Sequence, residues 1–156
     1  MQALSDADCM KTIQKSVLLA HSARDMFVLV TDVPSYAQFL PWCDQSEVIQ
    51  CNDDGMVAKI GMTVGGLRYS FTTRNRHVEN RQVSMELVDG PFSHLSGGWD
   101  FKPLGDDAQR ACKVEFRLSY DFSSLVLATL IGPVFEKLAG SLVDAFVKRA
   151  DSVYRS

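Results

Sequence analysis

From residue 43 to residue 122 the chain alternates apolar and polar side chains in runs broken by turn residues, a pattern suited to a sheet with one covered face. Met56, Ala58, Ile60, Met62 and Val64 share one side of a run, as do Val83, Met85 and Leu87, and as do Val114, Phe116, Leu118, Tyr120 and Phe122. Lys59, Glu86, Lys113, Glu115 and Arg117 take the opposite positions, so one face is predicted to meet water and the other to be covered. Turn signals at Asp54-Gly55, Gly65-Gly66, Asn80-Arg81, Asp89-Gly90-Pro91 and Gly105-Asp106 separate the runs and suit antiparallel hairpins.

The cover is expected from the last segment. There Leu127, Ile131, Val134, Phe135, Leu138, Leu142, Ala145 and Phe146 recur at three- and four-residue steps, the stripe of a long amphipathic helix. Gly132-Pro133 is expected to bend that helix or to mark its beginning. Ahead of the sheet, residues 11–19 read as a first strand. Ser22-x-x-Asp25 is a start signal for a short helix, and Pro34 and Pro41 open and close a second one. This order describes an α+β domain: a curved antiparallel sheet wrapped around a long C-terminal helix, with two short helices after the first strand. Residues 11–156 are read as one domain and residues 1–10 (MQALSDADCM) as a disordered leader, with Met10 a second candidate start.

The acidic, polar beginning lacks the basic end and apolar run of an export signal. Cys9, Cys43, Cys51 and Cys112 are irregularly spaced with no CxxC pair, which suits reduced thiols in a cytoplasmic protein. With 16 basic and 19 acidic residues the net charge is -3. That balance speaks against a chain that grips nucleic acid through its overall field, and no DNA partner or transmembrane segment is expected.

Catalytic motifs are missing: there is no GxSxG, HExxH, Walker loop or GxGxxG opening a helix. His21, His77 and His94 lie far apart in sequence, and no metal site is expected. Gly97-Gly98 before Trp99 reads as a bulge that bends the sheet. The chain is rich instead in Phe71, Phe92, Phe101, Phe116, Phe122, Met56, Met62, Met85 and Trp99, soft apolar material for a cavity between sheet and helix. On the run from 67 to 77, Leu67, Tyr69, Phe71, Thr73, Asn75 and His77 fall on the covered side. The polar half either meets a ligand carbonyl or water in a cavity of roughly 300 to 1,000 Å³, or leaves the core at a frayed strand end. The candidate ligand-binding residues are Phe39, Leu40, Pro41 and Trp42 as a mobile lid, and Tyr69, Phe71, Thr73, Trp99, Phe101, Phe116 and Tyr120 as wall. Val134, Leu138 and Leu142 are the candidate floor. Arg68, Arg74 and Arg76 on the wet side form a basic stripe able to meet phosphates, or simply a solvated face.

Four stretches carry a family resemblance: DVPSYAQFLPWC (32–43), FTTRN (71–75), LVDGPFSHLSGGWDFKPL (87–104) and FEKLAGSLVDAFVKRA (135–150). They resemble the bacterial ribosome association toxin A family, which is similar to mitochondrial coenzyme-Q-binding START-domain proteins and has been grouped with polyketide cyclases. The resemblance implies a START-like helix-grip fold with a tunnel between sheet and helix. The leading functional expectation is non-catalytic binding of a hydrophobic ligand, ubiquinone or a related lipid, in support of respiration, with location in the cytoplasm and peripheral contact with the inner membrane. The alternative is a toxin that binds the large ribosomal subunit and blocks subunit joining, with Arg68, Arg74 and Arg76 as contact. A cyclase or aromatase activity is a third reading.

Overall fold

The computed structural model describes residues 10–64, 66–105 and 110–154. The expected leader, apart from Met10, lies outside them, as do Gly65 and Asp106 of the turn signals. Strand β1 (Lys11–Leu19) leads into helix α1 (Ala23–Thr31), and a 3-10 helix (Val33–Gln38) follows. Six strands come next: β2 (Cys43–Asn52), β3 (Gly55–Val64), β4 (Leu67–Val78), β5 (Gln82–Asp89), β6 (Phe92–Pro103) and β7 (Cys112–Phe122). Helices α2 (Leu125–Gly140) and α3 (Leu142–Val153) close the chain.

The local signals act as the physics of caps and prolines requires. The Ser22 side chain accepts the Asp25 backbone N–H at 3.0 Å, capping α1. Pro34 stands at the start of the 3-10 helix, where its missing N–H has no partner to lose. The strands form one seven-stranded antiparallel sheet in the order β1-β7-β6-β5-β4-β3-β2. Strands β2 to β7 meander, and β1 returns to pair with β7, in register from Lys11 opposite Tyr120 to Leu19 opposite Cys112.

Two expectations are corrected. The C-terminal helix starts at Leu125, capped by Ser124, so Gly132-Pro133 lies inside it and is not its beginning; the regular hydrogen-bond ladder is interrupted at Ser141. The Ser141 N–H folds back onto the Lys137, Leu138 and Ala139 carbonyls, so the last turn of α2 tightens there. Gly97 and Gly98 are no bulge, since they stay in register with Leu118 and Arg117. They serve close approach: a Cβ on Gly97 would lie 2.1 Å from the Arg117 carbonyl oxygen and one on Gly98 2.5 Å from that of Val83. The neighbouring backbones occupy the space that side chains would need.

The span Leu125–Val153 has the length and apolarity to cross a bilayer, its most apolar stretch of 18 residues having a mean hydropathy of 1.5. Here it grips the sheet: Ile131, Phe135, Ala139, Val143, Phe146 and Ala150 are buried. Phe135 packs against Tyr120 (ring centroids 4.7 Å) and Phe146 against Trp99 (5.2 Å). The end of α3 is pinned by Tyr154, whose hydroxyl donates to the Asp25 carbonyl at 3.0 Å, and by Asp151, 2.7 Å from His21 Nε2.

Candidate functional site

The core consists of two groups. The larger joins α1, α2, α3 and β5 to β7 with Met62 and Val64 of β3; the smaller is Val33, Leu40, Cys43, Ala58 and Ile60 beneath the 3-10 helix. Between them is a cavity of about 100 Å³. The 3-10 segment and its exit contribute Val33, Tyr36, Leu40 and Trp42 to its wall; the helices contribute Phe135, Leu138, Ala139, Leu142 and Phe146. The sheet contributes Ala58, Ile60, Met62, Phe71, Thr73, Asn75, Met85, Leu95, Trp99, Phe116 and Leu118. The volume is below the expected range of roughly 300 to 1,000 Å³ typical of ligand sites. A larger guest therefore requires the 3-10 segment, Trp42 or the α2–α3 break to move.

Of the candidate lid, the structure puts Leu40 and Trp42 on the cavity, while Pro41 is exposed. Phe39 packs outside it, edge-on to Phe146 at 5.1 Å. Among candidate wall residues, Phe71, Thr73, Trp99 and Phe116 line the cavity and Tyr69, Phe101 and Tyr120 do not. Phe101 is drawn behind the wall, stacked on Trp99 and edge-on to Phe27 at 6.0 Å. Tyr120 turns toward a separate depression beside Lys11 and Glu136; burial, then the Glu136 charge, push its hydroxyl up to about 12. On the floor Leu138 and Leu142 line the cavity, but Val134 is 40% exposed, on the far side of α2. The helical stripe is narrower than the sequence suggests because α2 packs only its Ile131-Phe135-Ala139 edge tightly.

The polar half of β4 does not fray. Thr73 is 4% and Asn75 8% exposed, whereas the apolar end leaves the core, with Leu67 at 54%. Thr73 Oγ1 donates to Asn75 Oδ1 at 2.8 Å. His77, the next inward residue, lies edge-on to Phe27 (5.8 Å) with its Nε2 buried and unpaired among the described residues. Burial lowers its pKa. Among the described residues Tyr36 is the one titratable group on the cavity wall; its hydroxyl donates to the Val30 carbonyl, and burial raises its pKa. No group of three or more His, Cys, Asp or Glu side chains able to hold a metal occurs among the described residues.

On the outer face of the sheet Arg68, Arg74 and Arg76 are exposed along β4. Asp44 holds Arg68, with Nε to Oδ2 at 3.1 Å, and its own pKa is lowered by the hydrogen bond from Thr63 and by Arg68. Glu86 stands opposite Arg74. Arg76 has a different setting, which the linear sequence hides: Ser84, Gly98 and exposed Arg117 follow it in register across β5, β6 and β7. Three strand spacings put the two arginine backbones about 14 Å apart, with no large side chain between them. Arg117 joins the basic face only through this pairing.

The family model for polyketide cyclase / dehydrase and lipid transport matches residues 19–147. Among solved structures, the Zhui aromatase/cyclase from Streptomyces shares the fold with a TM-score of 0.81, at 16% identity over 94% of this chain and 97% of that one. The mitochondrial coenzyme Q-binding protein COQ10 homolog B of Xenopus laevis is 28% identical over 90% of this chain and 58% of its own length. Ribosome association toxin RatA of Vibrio cholerae is 43% identical over 93% of this chain and 99% of the toxin. An α+β helix-grip fold, matched nearly end to end by these toxins, assigns the molecule: the chain belongs to the ribosome association toxin RatA family, within the polyketide cyclase/START superfamily.

Proposed function

We propose that this chain associates with the large ribosomal subunit and hinders its joining to the small one, using the outer face of the sheet. The observation that carries this reading is the end-to-end likeness to proteins called ribosome association toxins. It takes the place of quinone binding as the leading reading, because the coenzyme Q-binding relative is far more distant. The exposed Arg74, Arg76 and Arg117 supply the chemistry: guanidinium groups make bidentate bonds to phosphate, and release of counterions from RNA favours association. The net charge of -3 confines that attraction to the local patch. A cytoplasmic location fits such a partner. The test is a sucrose-gradient profile of ribosomes with purified protein added: free subunits should rise at the expense of joined particles, and an unchanged profile at saturating protein would reject the proposal.

The cavity supports a second reading, an apolar guest such as ubiquinone or a related lipid, which would link the protein to respiration. Its support is the almost wholly apolar wall, on which both tryptophans of the chain, Trp42 and Trp99, stand. Their emission therefore reports occupancy directly. Titration with a short-chain ubiquinone should change that emission saturably; a change no larger than that of free tryptophan would reject this reading.

A further inference from the structure

We propose that Asn75 is the hydrogen-bond donor by which the cavity selects a guest bearing a carbonyl-type acceptor on an apolar body, with Thr73 the residue that sets its amide. This rests on the second reading above, that the cavity takes an apolar guest.

Thr73 and Asn75 are the buried polar residues among those described. They are successive inward positions of β4, and both stand on the cavity wall. A threonine hydroxyl has one proton to give, and here it goes to Asn75 Oδ1 at 2.8 Å. That bond holds the carboxamide with its oxygen toward Thr73 and its nitrogen turned away. Asn75 Nδ2, a donor of two protons, makes no hydrogen bond to the described residues. The remaining polar groups on the wall do not compensate, since the Tyr36 hydroxyl already donates to the Val30 carbonyl and the Trp42 and Trp99 indoles are donors only.

Covering that N–H without giving it an acceptor would be costly, so the wall favours a guest that brings one. Met56 on β3 and Met85 on β5 stand opposite Asn75 in register. These flexible thioethers leave the surroundings of the amide adaptable in shape. A carbonyl oxygen fits this place; a carboxylate does not, because no cationic side chain among the described residues lines the cavity. Asn75 also borders an open depression around Gly55 and Arg76, so water is the competing partner for the amide. Water there would not distinguish a ketone from a hydrocarbon.

The test compares 1-indanone with indane, two bicycles differing in one carbonyl, by calorimetric titration of the full chain, with methyl octanoate as a fatty-ester carbonyl. The side-chain amide resonance of Asn75 is followed by NMR in the wild type. Expected is a preference for indanone over indane of about three- to tenfold, the net worth of one hydrogen bond. The Asn75 amide should shift with indanone and stay with indane, and the preference should vanish in Asn75→Leu and weaken in Thr73→Val. A preference for methyl octanoate equal to that for indanone would assign the acceptor to acyl esters, and a weaker one to ring carbonyls; either supports the donor role. Equal binding of indanone and indane by wild type, with the amide unmoved, overturns the proposal and leaves the cavity reading intact. Binding of neither overturns both. Should Asn75→Leu fail to fold, the wild-type preference and amide shift still decide.

Discussion

Arg149 of α3 lies over the ring of Phe39, its guanidinium carbon 5.1 Å from the centroid, and donates to Gln38 Oε1 at 2.9 Å. These bonds fasten the end of the 3-10 helix to the last helix of the chain. They close the side of the molecule on which Leu40 and Trp42 cover the cavity.

Replacing Arg149 with Met should therefore loosen residues 33–42 without unfolding the sheet. A cation–π contact at a partly exposed site is worth about 0.5–1 kcal/mol, so the loss in global stability should be of that size. Hydrogen exchange in the 3-10 segment should quicken by about threefold or more, with protection in β6 and β7 unchanged. Equal exchange in the segment would show that Arg149 is not its fastening.

Two positions predicted as ligand contacts should behave oppositely when truncated. Phe116 is 2% exposed and 4.5 Å from Trp99, so Phe116→Ala should cost about 3–5 kcal/mol in denaturant unfolding. Val134 is 40% exposed, and Val134→Ala should stay within about 0.5 kcal/mol of wild type.

Gly98→Val should be among the most damaging single changes on the outer face, although the position is only half-buried. Its side chain would start 2.5 Å from the Val83 carbonyl oxygen, and the β5–β6 pairing would have to yield. Thermal unfolding should fall by several degrees or more, whereas Ser96→Val, two residues earlier on the same face, should be tolerated. Equal midpoints for the two would refute the close-approach role.

The burial that lowers the His77 pKa has a consequence for stability against pH. The unfolded chain, with an ordinary histidine near 6.5, binds the proton more readily than the folded chain. The stabilising difference is complete above that pH and is lost as pH falls from about 6.5 toward the lower folded value. His77→Phe should flatten the stability curve in that window. A curve as steep as wild type would assign the pH dependence to another group.

Much of the fold was legible because it rests on local rules. Alternation over 43–122, the Ser22 cap and the two prolines each act within a few residues, and the observed elements follow them closely. The departures arise where distant chain decides. Gly132-Pro133 continues the helix, and the break at Ser141 depends on how α2 and α3 pack on the sheet. Around the cavity, alternation separated the covered side from the wet side but could not tell Trp99, on the wall, from Phe101, one pleat farther and behind it. Asn75 reaches the wall from the covered side to which alternation assigns it, while Phe146 is one of several residues on the helical stripe and is selected by the packing of α3 on the sheet. Arg117 enters the basic face through strand pairing, invisible until β4 to β7 are in register.

Ribosome association through the outer face is tested by co-sedimentation of the protein with purified large ribosomal subunits across a salt series. It compares wild type with Arg74→Glu/Arg76→Glu/Arg117→Glu and with Leu142→Phe, which fills part of the cavity. Wild type and the Leu142 variant should pellet alike, with affinity falling as salt rises. The folded triple variant should lose at least tenfold in affinity and most of the salt dependence. A triple variant that pellets as wild type does, or a Leu142 variant that fails to pellet although folded, would contradict the assignment of ribosome association to the outer face.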